Sequence, residues 1–181
     1  VDHDAAMGGG VNVRTPLGDG YVLLGGVSGS ARGNFSQQQF DTQNADMNVG
    51  ITKTVDKDVF TLMATAGVYY LDNDRYRNYT GLTGQWQRNL DARNQIGAFV
   101  QYSDLHYPTI ETQDADRWVA GMSYAHLYRD GVMAFASAYY VGERPQENHV
   151  DYLGFDGLGI RAGGRMNLDS QTTLFGGATY E

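Results

Sequence analysis

Cysteine is absent from the 181 residues, which excludes disulfides and every metal centre built on thiolates. A chain without thiols also crosses an oxidising compartment with nothing to mispair. Proline occurs only 3 times, so few positions interrupt a hydrogen-bonded ladder. Nowhere do about 18 apolar residues follow one another, the length a helix needs to cross a bilayer. No basic segment leads into an apolar run in the manner of a secretory leader. Cations are scarce: 13 Lys and Arg stand against 21 Asp and Glu, a formal charge of −8. With no local cluster of Lys and Arg either, a nucleic-acid partner is not expected.

Against these absences, 24 Gly and 13 Tyr describe a chain rich in turn-formers and aromatics, which favours antiparallel β structure over helix. A strand that crosses a bilayer needs only about 10 residues with one apolar face, so a mean hydropathy of −0.44 does not argue against a membrane.

The stretch "DGLGIRAGGRMNLDSQTTLFGGATYE" carries the clearest periodicity. Leu158, Ile160, Ala162, Met166 and Leu168 take alternate positions, and Gly157, Gly159, Arg161, Gly163, Arg165 and Asn167 take those between. A period of two is that of a strand with one apolar face. The same split recurs where Ala45, Met47, Val49 and Ile51 oppose Asn44, Asp46, Asn48, Gly50 and Thr52, and where Ile96, Ala98, Val100 and Tyr102 oppose Gln95, Gly97, Gln101 and Ser103. Phe60, Leu62, Ala64, Ala66, Val68 and Tyr70 share a face as well. Only "VMAFASAYYV" resists sorting by parity.

Tight polar turns at "LGDGY", "VDKDV", "LDARN", "YRDGV" and "LDSQT" centre on Asp19, Lys57, Ala92, Asp130 and Ser170, at spacings of 38, 35, 38 and 40 residues. So regular a period marks a repeated hairpin. Longer polar connections, roughly "GNFSQQQFDTQN", "LDNDRYRNY", "LHYPTIETQDAD" and "ERPQENHVDYLG", fall between the turns. Alternation of short and long connections is expected of a membrane barrel with short turns on the periplasmic side. The strands read as about 7–17, 21–35, 41–55, 59–72, 75–90, 94–105, 115–128, 132–143, 155–168 and 172–181.

Aromatics on the apolar face gather at strand ends: Tyr21 and Phe35, Phe60 and Tyr70, Tyr76 and Trp86, Trp118 and Tyr124, with Tyr102 and Tyr180 at one end only. A soluble core would place its largest rings centrally, whereas rings edging an aliphatic band form the girdles of an outer-membrane barrel. The fold expected is therefore all-β: one antiparallel, up-and-down transmembrane β-barrel domain over residues 1–181, in a bacterial outer membrane, with its apolar face against lipid. Asn12, Arg14, Arg32, Asp46, Asn48, Gln85, Gln87, Gln101, Arg161, Arg165 and Asn167 are then the candidate lumen-facing residues. They would set selectivity for a cargo, or only solvate and brace the wall.

Motifs of chemistry give way to simpler readings. "GLGIRA" matches G-x-G-x-x-A, but the alternation runs straight through it where a dinucleotide site requires a helix to follow. The histidines, His3, His106, His126 and His149, have no zinc-ligand spacing. "DNDRYRN" begins like a calcium loop and lacks the central Gly and terminal Glu of an EF-hand, so it reads as a solvated outer loop. No nucleophile elbow, phosphate loop or catalytic carboxylate pair is found. No enzyme activity, cofactor or metal is expected.

"DRWVAGMSYAHLYRDGVMAFASAYYVGERPQ", followed by "YLGFDGLGIRAGGRMNLDSQTTLFGGATYE", resembles the C-terminal β-barrel of the surface lipoprotein assembly modifier family, and the similarity extends through "YRNYTGLTGQWQRNL". In that family a periplasmic tetratricopeptide domain precedes the barrel, and characterised members help deliver lipoproteins to the cell surface. The resemblance implies a protein client such as a lipoprotein, with outer-membrane lipid as the other partner. The residues alone also admit a solute or polysaccharide porin, or a structural or adhesive surface barrel. With the tight turns periplasmic, the first and tenth strands would both end outside, which leads to an expectation of twelve or more strands in the parent barrel.

Overall fold

The structure, a computed structural model, describes residues 4–34, 38–147, 152–168 and 172–180. Its strands are β1 (Asp4–Gly18), β2 (Tyr21–Asn34), β3 (Thr42–Val55), β4 (Asp58–Leu71), β5 (Asp74–Asn89), β6 (Asn94–His106), β7 (Ala115–Arg129), β8 (Val132–Pro145), β9 (Phe155–Asn167) and β10 (Thr173–Tyr180). They form one sheet in sequence order, each antiparallel to the next. No boundary lies more than three residues from the expected one. Residues 157–162, the sequence of the dinucleotide-like motif, run as continuous strand within β9.

Register follows parity from one strand to the next. Val27 pairs with Val11 and Met47, Met47 with Ala66, and Val49 with Ala64, so apolar residues meet apolar ones on one face. On the other, Gly26 pairs with Asn12 and Asn48, Asn48 with Thr65, and Ser103 with Gly81 and Arg117. The same rule resolves β8: Ala134, Ala136, Ala138 and Tyr140 join the apolar face, because their partners are His126, Tyr124, Met122 and Ala120. Phe135, Ser137 and Tyr139 lie opposite.

Exposure tells which face is convex. Met122 is 65%, Leu158 76% and Ile160 59% exposed, whereas Ser103, Leu105 and Val141 on the opposite face are each 5% exposed. Among the described residues no second layer covers either face, so the difference arises from curvature: side chains splay on the convex side and crowd on the concave side. The apolar face is convex. No large side chain is fully buried among the described residues, so a soluble two-layer core is not what holds this chain together. β1 and β10, each flanked by one described neighbour, are exposed at every described position.

Rings border the apolar band in rows fixed by register. At the tight-turn end Tyr21 pairs with Lys53, Lys53 with Phe60 and Phe60 with Trp86. Lys53 Nζ lies 3.8 Å from the centre of the Tyr21 ring, a cation–π contact. The Trp86 indole donates to Asp58 at 2.9 Å. At the far end Tyr102 and Trp118 have their ring centres 4.6 Å apart, and beyond them Arg144 meets Asp156 at 2.9 Å. From Tyr21 to Ala31 on β2, and from Phe60 to Tyr70 on β4, the apolar face runs for ten steps. At about 3.4 Å per residue and a tilt of about 45°, this gives a band ~24 Å high, close to the ~25 Å of outer-membrane barrels. Phe35 lies outside the described residues.

Two expectations need correction. Tyr76 is not a girdle residue: the ladder slips between Tyr69 and Tyr70, and the Tyr76 ring packs edge-on against Tyr69, 6.0 Å away, and Tyr107, 5.5 Å away. Tyr69 pairs with Asn44 on the polar face, so the bulge turns Tyr76 away from the apolar band. Nor is "LDNDRYRNY" a long connection. β4 and β5 are joined by Asp72 and Asn73 alone, at φ of 53° and 62°. Two successive left-handed residues make the tight hairpin turn whose twist matches that of its strands, and Asp and Asn tolerate that region better than other non-glycine residues. Replacing Asn73 by Val is therefore expected to destabilise the hairpin by about 1 to 2 kcal/mol, with Asn73→Gly near neutral. Hydrogen exchange at the β4–β5 ladder would report it, and equal protection in both variants would refute it.

The turn expected at Asp169–Gln171 lies outside the described residues, although Leu168 N–H donates to the Thr172 carbonyl at 2.9 Å across it. In the turn between β5 and β6, the Asp91 carboxylate accepts from Arg93 N–H at 2.7 Å, Asn94 N–H at 2.9 Å and the Asn94 amide at 2.7 Å. These donors, the Asn94 side chain first, hold the Asp91 carboxyl below its ordinary range.

Candidate functional site

All eleven residues expected to face the lumen share the concave face by register. Asn12 and Asn48 both pair with Gly26, and their amides close over it so that no Cβ could be added without displacing them. Asp46 is the best-tied member: it accepts from the Tyr79 hydroxyl at 2.7 Å and the Asn44 amide at 2.6 Å. Arg32 meets Asp4 at 2.8 Å, Gln101 donates to Ser103 at 3.3 Å, and Asn167 accepts from Thr173 at 3.1 Å. Gln85 and Gln87 pair with Phe99 and Gly97. Arg161 pairs with Ser137 and Thr179, and Arg165 with Met133 and Phe175. Arg14 projects from the same side of β1 as Asn12. The structure thus gathers Asn12 with Asn48, and Asp46 with Tyr79 and Asn44. It leaves the glutamines and the three arginines Arg14, Arg161 and Arg165 spread along the wall.

Sequence reasoning missed the rings and two further arginines of this face. Tyr79 pairs with Gly67, Phe99 and Tyr139 with Gly121, Tyr139 also with Gly159, and Phe135 with Gly163. The rings of Tyr79, Phe99, Tyr139 and Phe135 lie where a Cβ on Gly67, Gly121, Gly159 and Gly163, respectively, would stand, and at Gly121 the Tyr139 Cβ crowds the same space. Glycine opposite an aromatic thus lets a bulky ring lie flat along the wall instead of projecting across the interior. Arg161 rests against one of these rings, its guanidinium carbon 5.8 Å from the centre of Phe135. Arg77 and Arg117 were legible by parity, since they alternate in step with Gln85 and Val119. The ring-on-glycine pairs were not, because they join residues on different strands.

Among the described residues no group of three His, Asp or Glu could hold a metal ion. His106, at the end of β6, meets Asp114 at 2.7 Å, while Asp114 also accepts from Tyr107 N–H at 2.6 Å. That carboxylate ties down the connection between β6 and β7.

A single sheet of meandering antiparallel strands, with an apolar convex face bordered by rings and a concave face that carries the amides, hydroxyls and guanidinium groups, defines an outer-membrane type of β-barrel. The crystal structure of the Pseudomonas putida toluene transporter TodX is similar, with a TM-score of 0.62 at 10% identity, over 98% of this chain and 64% of the transporter. The chain thus spans less than two thirds of that protein's length, and the likeness is one of fold. No family model matches the sequence, and no curated protein does.

Proposed function

We propose that this chain forms the wall of an outer-membrane barrel that passes solutes through its polar interior. The observation that carries the reading is the division of one layer into a convex apolar face bordered by rings and a concave face of amides, hydroxyls and guanidinium groups. Such a layer is stable only where lipid covers the outside and water fills the inside. Flat-lying rings keep the interior open while offering apolar surface to a passing solute, and the similar fold of a toluene transporter agrees with transport.

A second reading, from the resemblance of residues 116–146 and 152–181 to surface lipoprotein assembly modifiers, makes the cargo a lipoprotein delivered to the cell surface. Planar-bilayer recording separates the two. Steady single-channel conductance from the reconstituted chain is the expected result. A barrel that stays closed and retains a lipoprotein on purification would overturn solute passage in favour of the second reading.

A further inference from the structure

The charge of the concave face runs against that of the chain. Although the protein carries −8 overall, among the described residues the face holds six arginines, Arg14, Arg32, Arg77, Arg117, Arg161 and Arg165, against four carboxylates. Of those four, Asp4 is paired with Arg32, Asp46 is occupied by Tyr79 and Asn44, and Asp74 stands at the hairpin tip beside Asn73. Glu143 is the fourth, in register with Arg117. The other acids among the described residues lie in turns, in connections or on the rims of the convex face. Apart from Arg32, none of these arginines has a carboxylate within ion-pair distance among the described residues.

From this segregation we infer that the interior is an anion-selective path, with Arg161 and Arg165 as its principal determinants; the inference rests on the transport reading above. Both stand on β9 four residues apart, about 13 Å along the strand. Their register partners, Ser137 and Thr179 for the first and Met133 and Phe175 for the second, carry no charge that would cancel theirs. At 0.1 M salt the screening length is about 10 Å, so the fields of the two guanidinium groups overlap along this side of the lumen. Unpaired arginines on a pore wall lower the free energy of a passing anion and raise that of a cation. Phe135 beneath Arg161, and Phe175 beside Arg165, 81% exposed, put apolar surface next to each charge. The solute class this fits is a small organic anion with an apolar body, such as an aryl carboxylate.

The test is the reversal potential of the reconstituted chain in planar bilayers under a roughly tenfold KCl gradient held at or below about 0.1 M, where screening is weak. Chloride preference is expected. It should fall at least about threefold in the Arg161→Gln, Arg165→Gln double variant, and it should be retained in the corresponding Arg→Lys double variant. Arg88→Gln, on the convex rim beside Asp58, should leave it unchanged. With benzoate replacing chloride, permeation should persist and show the same dependence on the two arginines. A cation preference, or a ratio unmoved by the double Gln variant, would overturn the anion path while leaving transport intact. Absence of any conductance would remove the transport reading, and the anion path with it.

Discussion

Replacing Ile160 by arginine is expected to destabilise the folded barrel by about 2 to 4 kcal/mol in a lipid bilayer, whereas Arg161→Gln, one residue along, should stay within about 0.5 kcal/mol. The two positions are adjacent in β9 and differ only in the face they occupy. Ile160 pairs with Ala138 and Tyr180 on the convex side, and Arg161 with Ser137 and Thr179 on the concave side. A guanidinium on the convex side must shed its hydration or pull water and headgroups toward it, and the cost grows with depth. On the concave side the exchange is between two groups that water already solvates. Denaturant titration of both variants in vesicles, followed by tryptophan fluorescence, measures the difference. Comparable losses would show that the sheet does not divide lipid from water as its register implies.

The second large effect concerns glycine, and its sign depends on the face. A Cβ at Gly121 would lie 2.7 Å from the Ala138 carbonyl oxygen, 2.7 Å from Tyr139 Cβ and 2.9 Å from the Phe99 ring. The carbonyl belongs to the β7–β8 ladder and cannot retreat without breaking it. Gly121→Ala should therefore cost about 1 to 3 kcal/mol, in the range of an overpacked core. Gly25 lies on the convex face, where the nearest atom to an added Cβ is the Asn48 carbonyl oxygen at 3.9 Å. There the same substitution meets nothing, and by restricting the unfolded chain it should stabilise by about 0.5 to 1 kcal/mol. Equilibrium unfolding of the two variants in one lipid system tests the contrast, and changes of the same sign would contradict it.

Such opposite outcomes show where sequence reading reaches its limit. Gly25 and Gly121 look alike in the chain, each among small and apolar residues. What separates them is which rings and carbonyls the neighbouring strands bring alongside. Tyr76 illustrates the same point: its parity matched that of Trp86, and a slip of the ladder between Tyr69 and Tyr70 placed it elsewhere. The strand Val132–Pro145 was ambiguous because Phe135 and Tyr139 are as apolar as the alanines between them. Pairing with Ala125 and Gly121 assigned those rings to the concave side. In the connection between β4 and β5, polarity suggested a long outer loop, yet Asp72 and Asn73 could adopt the left-handed backbone that lets the ladder continue to the tip.

By itself the sequence determined the ten strands, their antiparallel succession, four of the five tight turns as far as the structure describes them, and the face on which each of the eleven candidate wall residues lies. These are local properties: alternation along a strand has a period of two whatever lies beside it, and Asp and Gly mark turns through backbone preferences of their own. Only the tertiary structure decided which glycines lie beneath rings, which carboxylates are already engaged and which arginines have no carboxylate within ion-pair distance among the described residues. Those depend on register and curvature, which bring together residues far apart in the chain, as Asp46 and Tyr79 are. The charge that Arg161 and Arg165 present follows from that placement, because the field a solute meets depends on the neighbours that do or do not cancel it.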